Sequence, residues 1–206
     1  MNRDKIIDVL MIAFLLATFA LTGVVFRQLP ATVPMHWNIR GEADGFGPRG
    51  TVWITPGIQF FIGTLFQGLT LALAKDEKQR FSFALMGLGL AAFFFTLQCL
   101  ILAAGMNYRV DMTRWMGLGL SLMFMLFGYA MKDLPRNGLA GIRLPWTMKS
   151  DEAWAISHRR AARFVTIGSG VGAAISLLNG FTGSIICILV LLYTIPDSYF
   201  ATRKLN

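Results

Sequence analysis

Long apolar runs, separated by short charged clusters, recur along the 206-residue chain. An α-helix rises about 1.5 Å per residue, so about 20 apolar residues are enough to cross the hydrocarbon core of a bilayer. Six candidate runs lie at residues 6–26, 53–74, 81–104, 112–131, 164–178 and 181–200, and the fifth is short. The runs are continuous and lack the two-residue alternation of barrel strands. The sequence therefore predicts an all-α integral membrane protein built as a six-span transmembrane helical bundle.

The low charge content supports this class. Only 15% of the residues are charged, whereas a soluble domain carries charge on about a quarter of its residues. The first run could alternatively be a cleaved signal peptide, with a charged start at residues 2–5 and a cleavage site at residues 18–20. A transmembrane helix is preferred because the apolar run continues past that site to Phe26. A turn at Asn179 and Gly180 is expected to separate the last two runs.

The distribution of Lys and Arg predicts the orientation of the chain. With six spans the two termini share a side, and that side holds 14 of the 19 Lys and Arg residues. Basic residues in short loops are retained in the cytoplasm. We therefore expect a protein of the bacterial cell membrane with both termini cytoplasmic and the 27–52 loop outside. The net charge of +8 then indicates topology and contact with membrane lipids, not direct binding of nucleic acid.

The predicted spans and loops divide the chain into three parts. Residues 1–52 hold the first span and an external loop, residues 53–131 hold spans two to four, and residues 132–206 hold a polar loop with spans five and six. Small residues four positions apart, such as Gly168 and Gly172, predict close helix packing and could also form a homodimer face. Cys99 and Cys187 lie within apolar runs, and we expect both to be buried.

The polar segment 137–160 is predicted to form a structured loop followed by a helix. Ser150 is suited to be an N-cap, and Asp151 and Glu152 would then occupy the first turn, where acidic residues complement the helix dipole. Trp154 and His158, four residues apart, would share one face of a short interfacial helix that leads into the fifth span. A basic hinge that merely lies on lipid is the alternative. We expect Arg143 to bind specifically, because its planar guanidinium makes directed hydrogen bonds.

The external segment 29–50 is predicted to be a shaped cap rich in prolines and glycines. His36, Glu42 and Asp44 are potential cation ligands, but a zinc site needs three or four ligands and the segment has a single histidine. We predict no metal and no cofactor. Hydrogen bonds that fix the turns are the first interpretation of these side chains. An exposed peptide-binding surface is the second, formed by Met35, His36, Trp37, Arg40 and Phe46.

Two blocks of the sequence resemble the SdpI family of bacterial toxin-immunity and signalling membrane proteins. The cytoplasmic-loop pattern of that family is an Asn, then GIRTPWT, a Trp and THR. The matching residues here are Asn137, Gly141, Ile142, Arg143, Pro145, Trp146, Thr147, Trp154, His158 and Arg159. The second block is similar to the N-terminal domain of unknown function common in the family, and it consists of Leu29, Pro30, Pro34, His36, Asn38, Gly41, Asp44 and Gly45. Leu144 replaces the family Thr, and Ala161 and Ala162 stand where a Gly is common.

The resemblance implies a binding protein that confers immunity to an antimicrobial peptide toxin. The family prototype can also retain a transcriptional repressor at the membrane, so a peptide toxin and a repressor are the expected partners. The implied binding residues are Asn137, Gly141, Arg143, Pro145, Trp146, Thr147, Trp154, His158 and Arg159 in the cytoplasmic block, with His36, Asn38 and Asp44 in the external block.

Transport and intramembrane catalysis are the alternative functions. Coupled carriers place ionisable residues near the bilayer midplane, and Asp8, near the cytoplasmic end of the first span, is the nearest candidate. A zinc protease needs a motif such as HExxH, which is absent from the sequence. Ser169 stands between two glycines, but the two histidines are expected in loops on opposite faces of the bilayer. We therefore expect a protein that is not an enzyme.

Overall fold

The computed structural model describes residues 3–205, so Met1, Asn2 and Asn206 lie outside the described residues. Within that range the chain forms six α-helices, which overlap the six apolar runs, although α5 begins well before the fifth run. They are α1 (Arg3–Phe26), α2 (Ile54–Leu73), α3 (Glu77–Gly105), α4 (Met112–Met131), α5 (Asp151–Ser176) and α6 (Gly180–Thr202). Two strands, β1 (Thr32–Trp37) and β2 (Ala43–Pro48), and a 3-10 helix at Arg49–Trp53 lie between α1 and α2. The protein is mostly helical, as predicted, but the prediction of an all-α fold is wrong because the chain also forms this small sheet.

The two strands pair antiparallel as a hairpin between α1 and α2. Its turn is fixed by Asn38, whose side-chain oxygen accepts hydrogen bonds from the backbone N–H groups of Arg40 and Glu42, and by Gly41, with φ of 77°. Val33 points inward, where it packs with Leu29, Val52 and Leu102. The hairpin is therefore anchored on α3, and the prediction of a shaped cap is confirmed.

Four helices begin with a side-chain cap that accepts a hydrogen bond from a backbone N–H three residues on. The caps are Asp76 for α3, Asp111 for α4, Ser150 for α5 and Asn179 for α6. Such caps satisfy one of the four N–H groups that lack an intrahelical partner. The predicted cap at Ser150 and the predicted break at Asn179 and Gly180 are confirmed.

Four segments of the described chain are long and apolar enough to cross a membrane. They are Lys5–Phe26, Arg49–Leu73, Glu77–Gly105 and Gly180–Thr202. Helix α4 carries Arg114 near its start, and α5 carries five charged residues in its first half. These charges lower the mean hydropathy of two helices that are otherwise long enough to cross.

Helix α5 differs from the expected pair of a short interfacial helix and a short fifth span. It is a single helix of 26 residues. Ala161 and Ala162 continue the helix because alanine has the highest helix propensity, and both are buried against Met131 and Ile142. Arg159, Arg160 and Arg163 consequently lie in the middle of a helix, not in its last turn.

Small residues allow the last three helices to pack closely. A Cβ at Gly128 of α4 would lie 2.5 Å from the backbone nitrogen of Thr166 on α5, and one at Gly172 would lie 3.0 Å from the carbonyl oxygen of Gly183 on α6. The predicted packing role of Gly168 is confirmed as well, since a Cβ there would collide with Val190. Backbone contact at these positions leaves no space for a larger side chain.

The described segments sort to two ends of the bundle. The hairpin lies at one end with the α3–α4 and α5–α6 turns, because Gly41 adjoins Thr113 and Gly180 adjoins the Thr113 carbonyl. At the other end, the Arg3 guanidinium lies 5.5 Å from the centre of the Phe81 ring. The loop between α4 and α5 also lies there, against the end of α6. Consecutive helices therefore run in alternating directions.

Candidate functional site

Asn137 organises the start of the loop between α4 and α5. Its side-chain oxygen accepts hydrogen bonds from the backbone N–H groups of Leu139 (2.8 Å) and Ala140 (2.7 Å). Its side-chain nitrogen donates to the carbonyls of Pro135 (2.8 Å) and Ala140 (3.1 Å). Asn137 is buried, so these bonds replace those it would make with water. Asn137 therefore fixes the turn that positions Gly141.

Gly141 packs against a stacked pair of rings on the first two turns of α5. The ring centres of Trp154 and His158 are 3.8 Å apart and the rings are inclined by 20°. Gly141 has φ of 109°, and a Cβ at that position would collide with the His158 ring and lie 3.0 Å from Cη2 of Trp154. Both the conformation and the space therefore require glycine.

His158 is held as a neutral imidazole with its proton on Nδ1. The backbone N–H of Ile142 donates to Nε2 (3.0 Å), which must therefore be unprotonated, and Nδ1 donates to the carbonyl of Trp154 (2.9 Å). The residue is 1% exposed, and its burial lowers the pKa of His158 to about 4. Histidine thus links the loop to α5 as an uncharged group near neutral pH. It shares a helix face with Trp154, as their spacing predicts, but that helix is the start of α5 and not a separate interfacial helix.

Thr147 closes the second turn of the loop. Its hydroxyl accepts a hydrogen bond from the Leu144 backbone N–H (3.0 Å) and lies within hydrogen-bond distance of the carbonyls of Ile142 and Leu144. These contacts use the backbone of Leu144. The departure from the family Thr at this position therefore leaves the turn intact. Pro145 is exposed on the outer side of the turn.

Trp146 attaches the loop to α6. Its indole nitrogen donates to the hydroxyl of Ser198 (3.0 Å), and its ring packs edge-on against Tyr199 with centres 5.4 Å apart. Trp154 is attached elsewhere, because its indole nitrogen donates to the carbonyl of Leu134 (2.8 Å). Trp146 therefore connects the loop to α6, and Trp154 connects α5 to the first part of the loop, just after α4.

The candidate residues of the loop and of the start of α5 do not form a single cluster. Trp154 and His158 are stacked together, whereas Trp146 packs against α6. Arg143 is exposed, and its guanidinium donates to the carbonyl of Gly138. Arg159 is exposed on the surface of α5. Arg143 and Arg159 are therefore the candidate residues of this region whose charged side chains are exposed.

The ion pair between Arg160 and Asp197 is a feature that the sequence interpretation missed. Nε and Nη2 of Arg160 donate to the two carboxylate oxygens of Asp197 at 2.9 and 2.6 Å. The Asp197 side chain is 6% exposed. A single acidic residue within the last apolar run was the available signal, since a carboxylate at membrane depth requires a partner.

A cleft of about 690 Å³ opens beside the Trp154 ring, between the loop and the α2–α3 connection. Lys75, Arg136 and Asp151 line its charged side. Arg136 is fixed there by hydrogen bonds to Asp151 (2.6 Å) and to the carbonyl of Met148 (2.8 Å). The cleft has the size of a small-molecule or peptide-side-chain site.

In the hairpin, the polar side chains pair with one another. His36 Nδ1 lies 2.5 Å from Asp44 Oδ1, and Glu42 accepts hydrogen bonds from Asn38 (2.9 Å) and Arg40 (3.1 Å). Hydrogen bonds that fix the turn, the first interpretation, are confirmed. Residues 3–205 contain no group of three His, Cys, Asp or Glu side chains placed to hold a metal ion.

A helical bundle with candidate membrane spans, a hairpin at one end and a GIRLPWT loop at the other defines a membrane protein. Residues 133–199 match the SdpI/YfhL protein family, and residues 13–60 match a domain of unknown function, DUF1648. The chain is 25% identical to the Immunity protein SdpI of Bacillus subtilis (strain 168), over 99% of this chain and 98% of the relative. The chain is therefore similar to the SdpI family over the loop between α4 and α5 and the two helices that follow it. A comparison with solved structures gave no significant match.

Proposed function

We propose that this protein is a multipass immunity protein of the bacterial cell membrane, which protects the cell against an antimicrobial peptide toxin. The observation that carries the proposal is the end-to-end similarity to an immunity protein, which includes both polar blocks. The role is binding, not catalysis. Ser169 lies 11 residues after His158 on α5, about 16 Å along the helix, so the two side chains form no nucleophile–base pair.

All six helices cross the membrane in this proposal, with both termini in the cytoplasm. The alternating helix directions and the charge distribution support it. The end of the bundle that carries the loop between α4 and α5 holds 14 of the 19 Lys and Arg residues, and the hairpin end holds Arg27, Arg40, Arg49, Arg109 and Arg114. Basic loops stay in the cytoplasm. The hairpin is then the external surface, where His36, Asn38 and Asp44 meet the toxin.

The cytoplasmic loop transmits binding through its attachments to two helices. On α5, Trp154 and His158 bind the loop backbone at Leu134 and Ile142. On α6, Ser198 accepts a hydrogen bond from Trp146. A shift of α6 relative to α5 would therefore move the loop and change the cleft beside Trp154. The conformation of the loop is fixed by Asn137, Gly141, Pro145 and Thr147. The exposed side chains of Arg143 and Arg159 are available to bind a cytoplasmic partner. A transcriptional repressor held at this cleft would extend protection to sensing.

The test is a protection assay in a sensitive host that lacks an SdpI-like protein, challenged with the toxin that the Bacillus subtilis relative counters. Expression of the chain should restore growth. Trp146→Phe keeps the ring but removes the hydrogen bond to Ser198, and it should weaken protection at equal membrane abundance. Trp115→Phe, at the opposite end of the bundle, is the matched control and should protect fully. Growth no better than with empty vector would refute the proposal for this toxin.

A further inference from the structure

A groove between α5 and α6 combines two guanidinium groups with a long apolar floor. Its volume is about 650 Å³, within the range of about 300–1,000 Å³ typical of small-molecule sites. Arg160 and Arg163 lie at one end, and Ile167 and Leu189 lie along the floor. The groove is on the outer surface of the helix pair, away from the cleft beside Trp154.

At the basic end of the groove, the Arg160 guanidinium is held in place along one edge. Asp197 occupies the Nε and Nη2 edge of Arg160, so Nη1 is directed away from that carboxylate. The Arg160 side chain is nevertheless 50% exposed. None of the ion pairs among the described residues involves Arg163. The end of the groove therefore carries one net positive charge and two guanidinium groups that can donate to an anion.

The apolar part of the groove begins directly below these arginines. Phe164 and Tyr193 form an edge-on aromatic pair with ring centres 5.2 Å apart, and the Arg160 guanidinium lies 6.0 Å from the centre of the Phe164 ring. Ile167, one turn further along α5, is 69% exposed. Aromatic rings and arginines mark the headgroup level of a membrane, and exposed aliphatic side chains mark its hydrocarbon.

We propose that this groove is a binding site for one anionic glycerophospholipid. Its phosphate lies between Arg160 and Arg163, and one acyl chain lies along Ile167 and Leu189. Guanidinium groups form strong, directed hydrogen bonds with phosphate oxygens, and basic pockets between transmembrane helices on the cytoplasmic side suit anionic headgroups. A free anion would use only the arginines and would leave the apolar floor without an occupant.

Occupancy would also affect the loop. Asp197, which holds Arg160, precedes Ser198, which accepts the hydrogen bond from Trp146. A lipid phosphate that fixes Arg160 therefore fixes the end of α6 relative to α5, and through Ser198 the position of Trp146. The site requires α5 and α6 to lie in a membrane, but it does not depend on a toxin. Its test is consequently independent of the immunity assay.

The test uses the purified full chain in detergent, with phosphatidylglycerol or phosphatidylcholine of identical acyl chains, and native mass spectrometry to count bound lipid. We expect one phosphatidylglycerol to be retained at least about tenfold more strongly than phosphatidylcholine. Arg163→Gln should abolish that preference. Arg80→Gln, at the start of α3, is the matched control, because it makes the same charge change at the same end of the bundle but does not line the groove, and it should keep the preference.

Two further measurements keep the test decisive. Melting curves of both variants in phosphatidylcholine should match the parent, which excludes unfolding as the cause of lost binding. Inorganic phosphate at millimolar concentration should not displace the lipid, whereas displacement would identify a free-anion site. Equal retention of the two lipids, or equal loss of preference in the two variants, would overturn the proposal.

Discussion

The loop between α4 and α5 and the hairpin between α1 and α2 are both polar, yet they use polarity in opposite ways. In the loop, His158 is 1% exposed and each of its ring nitrogens has a backbone partner. In the hairpin, the side chain of His36 is 73% exposed and pairs with a carboxylate that water also reaches. Burial makes the loop contacts expensive to break, whereas solvent screens those of the hairpin. The polar groups of the loop therefore hold the loop in place, whereas those of the hairpin are accessible at the surface.

The largest expected effect is from Gly141→Ala. The substitution forces a side chain into a backbone conformation with positive φ and against the His158 ring, and it should cost about 4 kcal/mol of stability. Gly138→Ala is the matched control, because it lies three residues earlier and has open space around it. Thermal unfolding in detergent should separate the two variants clearly. Similar melting temperatures would show that the loop is not tightly packed on α5.

The second prediction concerns pH. The pKa of His158 is about 4 in the folded protein and 6.5 in its ordinary range, so the unfolded chain takes up the proton first as the pH falls. The stability due to neutral His158 is therefore complete above pH 6.5 and decreases as the pH falls to about 4, by up to about 3 kcal/mol.

Unfolding measured between pH 7.5 and pH 4.5 should show this decrease. It should be smaller in His158→Asn, which is less stable at pH 7.5 but lacks the titrating group. Gly138→Ala provides the control, because it has open space around it and adds no titrating group, and it should keep the pH slope of the parent protein. An unchanged pH slope in His158→Asn would contradict the role given to buried His158.

The smallest effect is expected in the hairpin. Asp44→Asn removes the charge opposite His36, and because both side chains are exposed the cost should be below about 1 kcal/mol. Chemical denaturation at pH 7 would measure it. A cost as large as that of Gly141→Ala would mean that the hairpin is a buried structural element, covered by a partner or by the membrane surface.

The sequence was sufficient to predict features that depend on a local pattern. Five of the six helices follow the apolar runs, and the cap at Ser150 follows from its position before Asp151 and Glu152. The shared helix face of Trp154 and His158 follows from their spacing of four. These features depend on residues within a few positions of one another.

Contacts between distant segments could not be predicted in this way. The bond from Trp146 to Ser198 joins residues 52 positions apart. The hairpin was missed because Pro34 and several glycines disfavour strands, and pairing with β2 compensates for that tendency. The continuity of α5 was missed because its charged first half differs in polarity from its apolar second half.

The orientation of these two regions is the claim on which the comparison depends, and labelling of intact cells measures it directly. Arg40→Cys in the hairpin and Lys149→Cys in the loop replace exposed side chains, and the parent protein gives the background from Cys99 and Cys187. A membrane-impermeant maleimide should modify Arg40→Cys in intact cells and Lys149→Cys only after permeabilisation. Modification of Lys149→Cys in intact cells, with Arg40→Cys protected, would contradict the account.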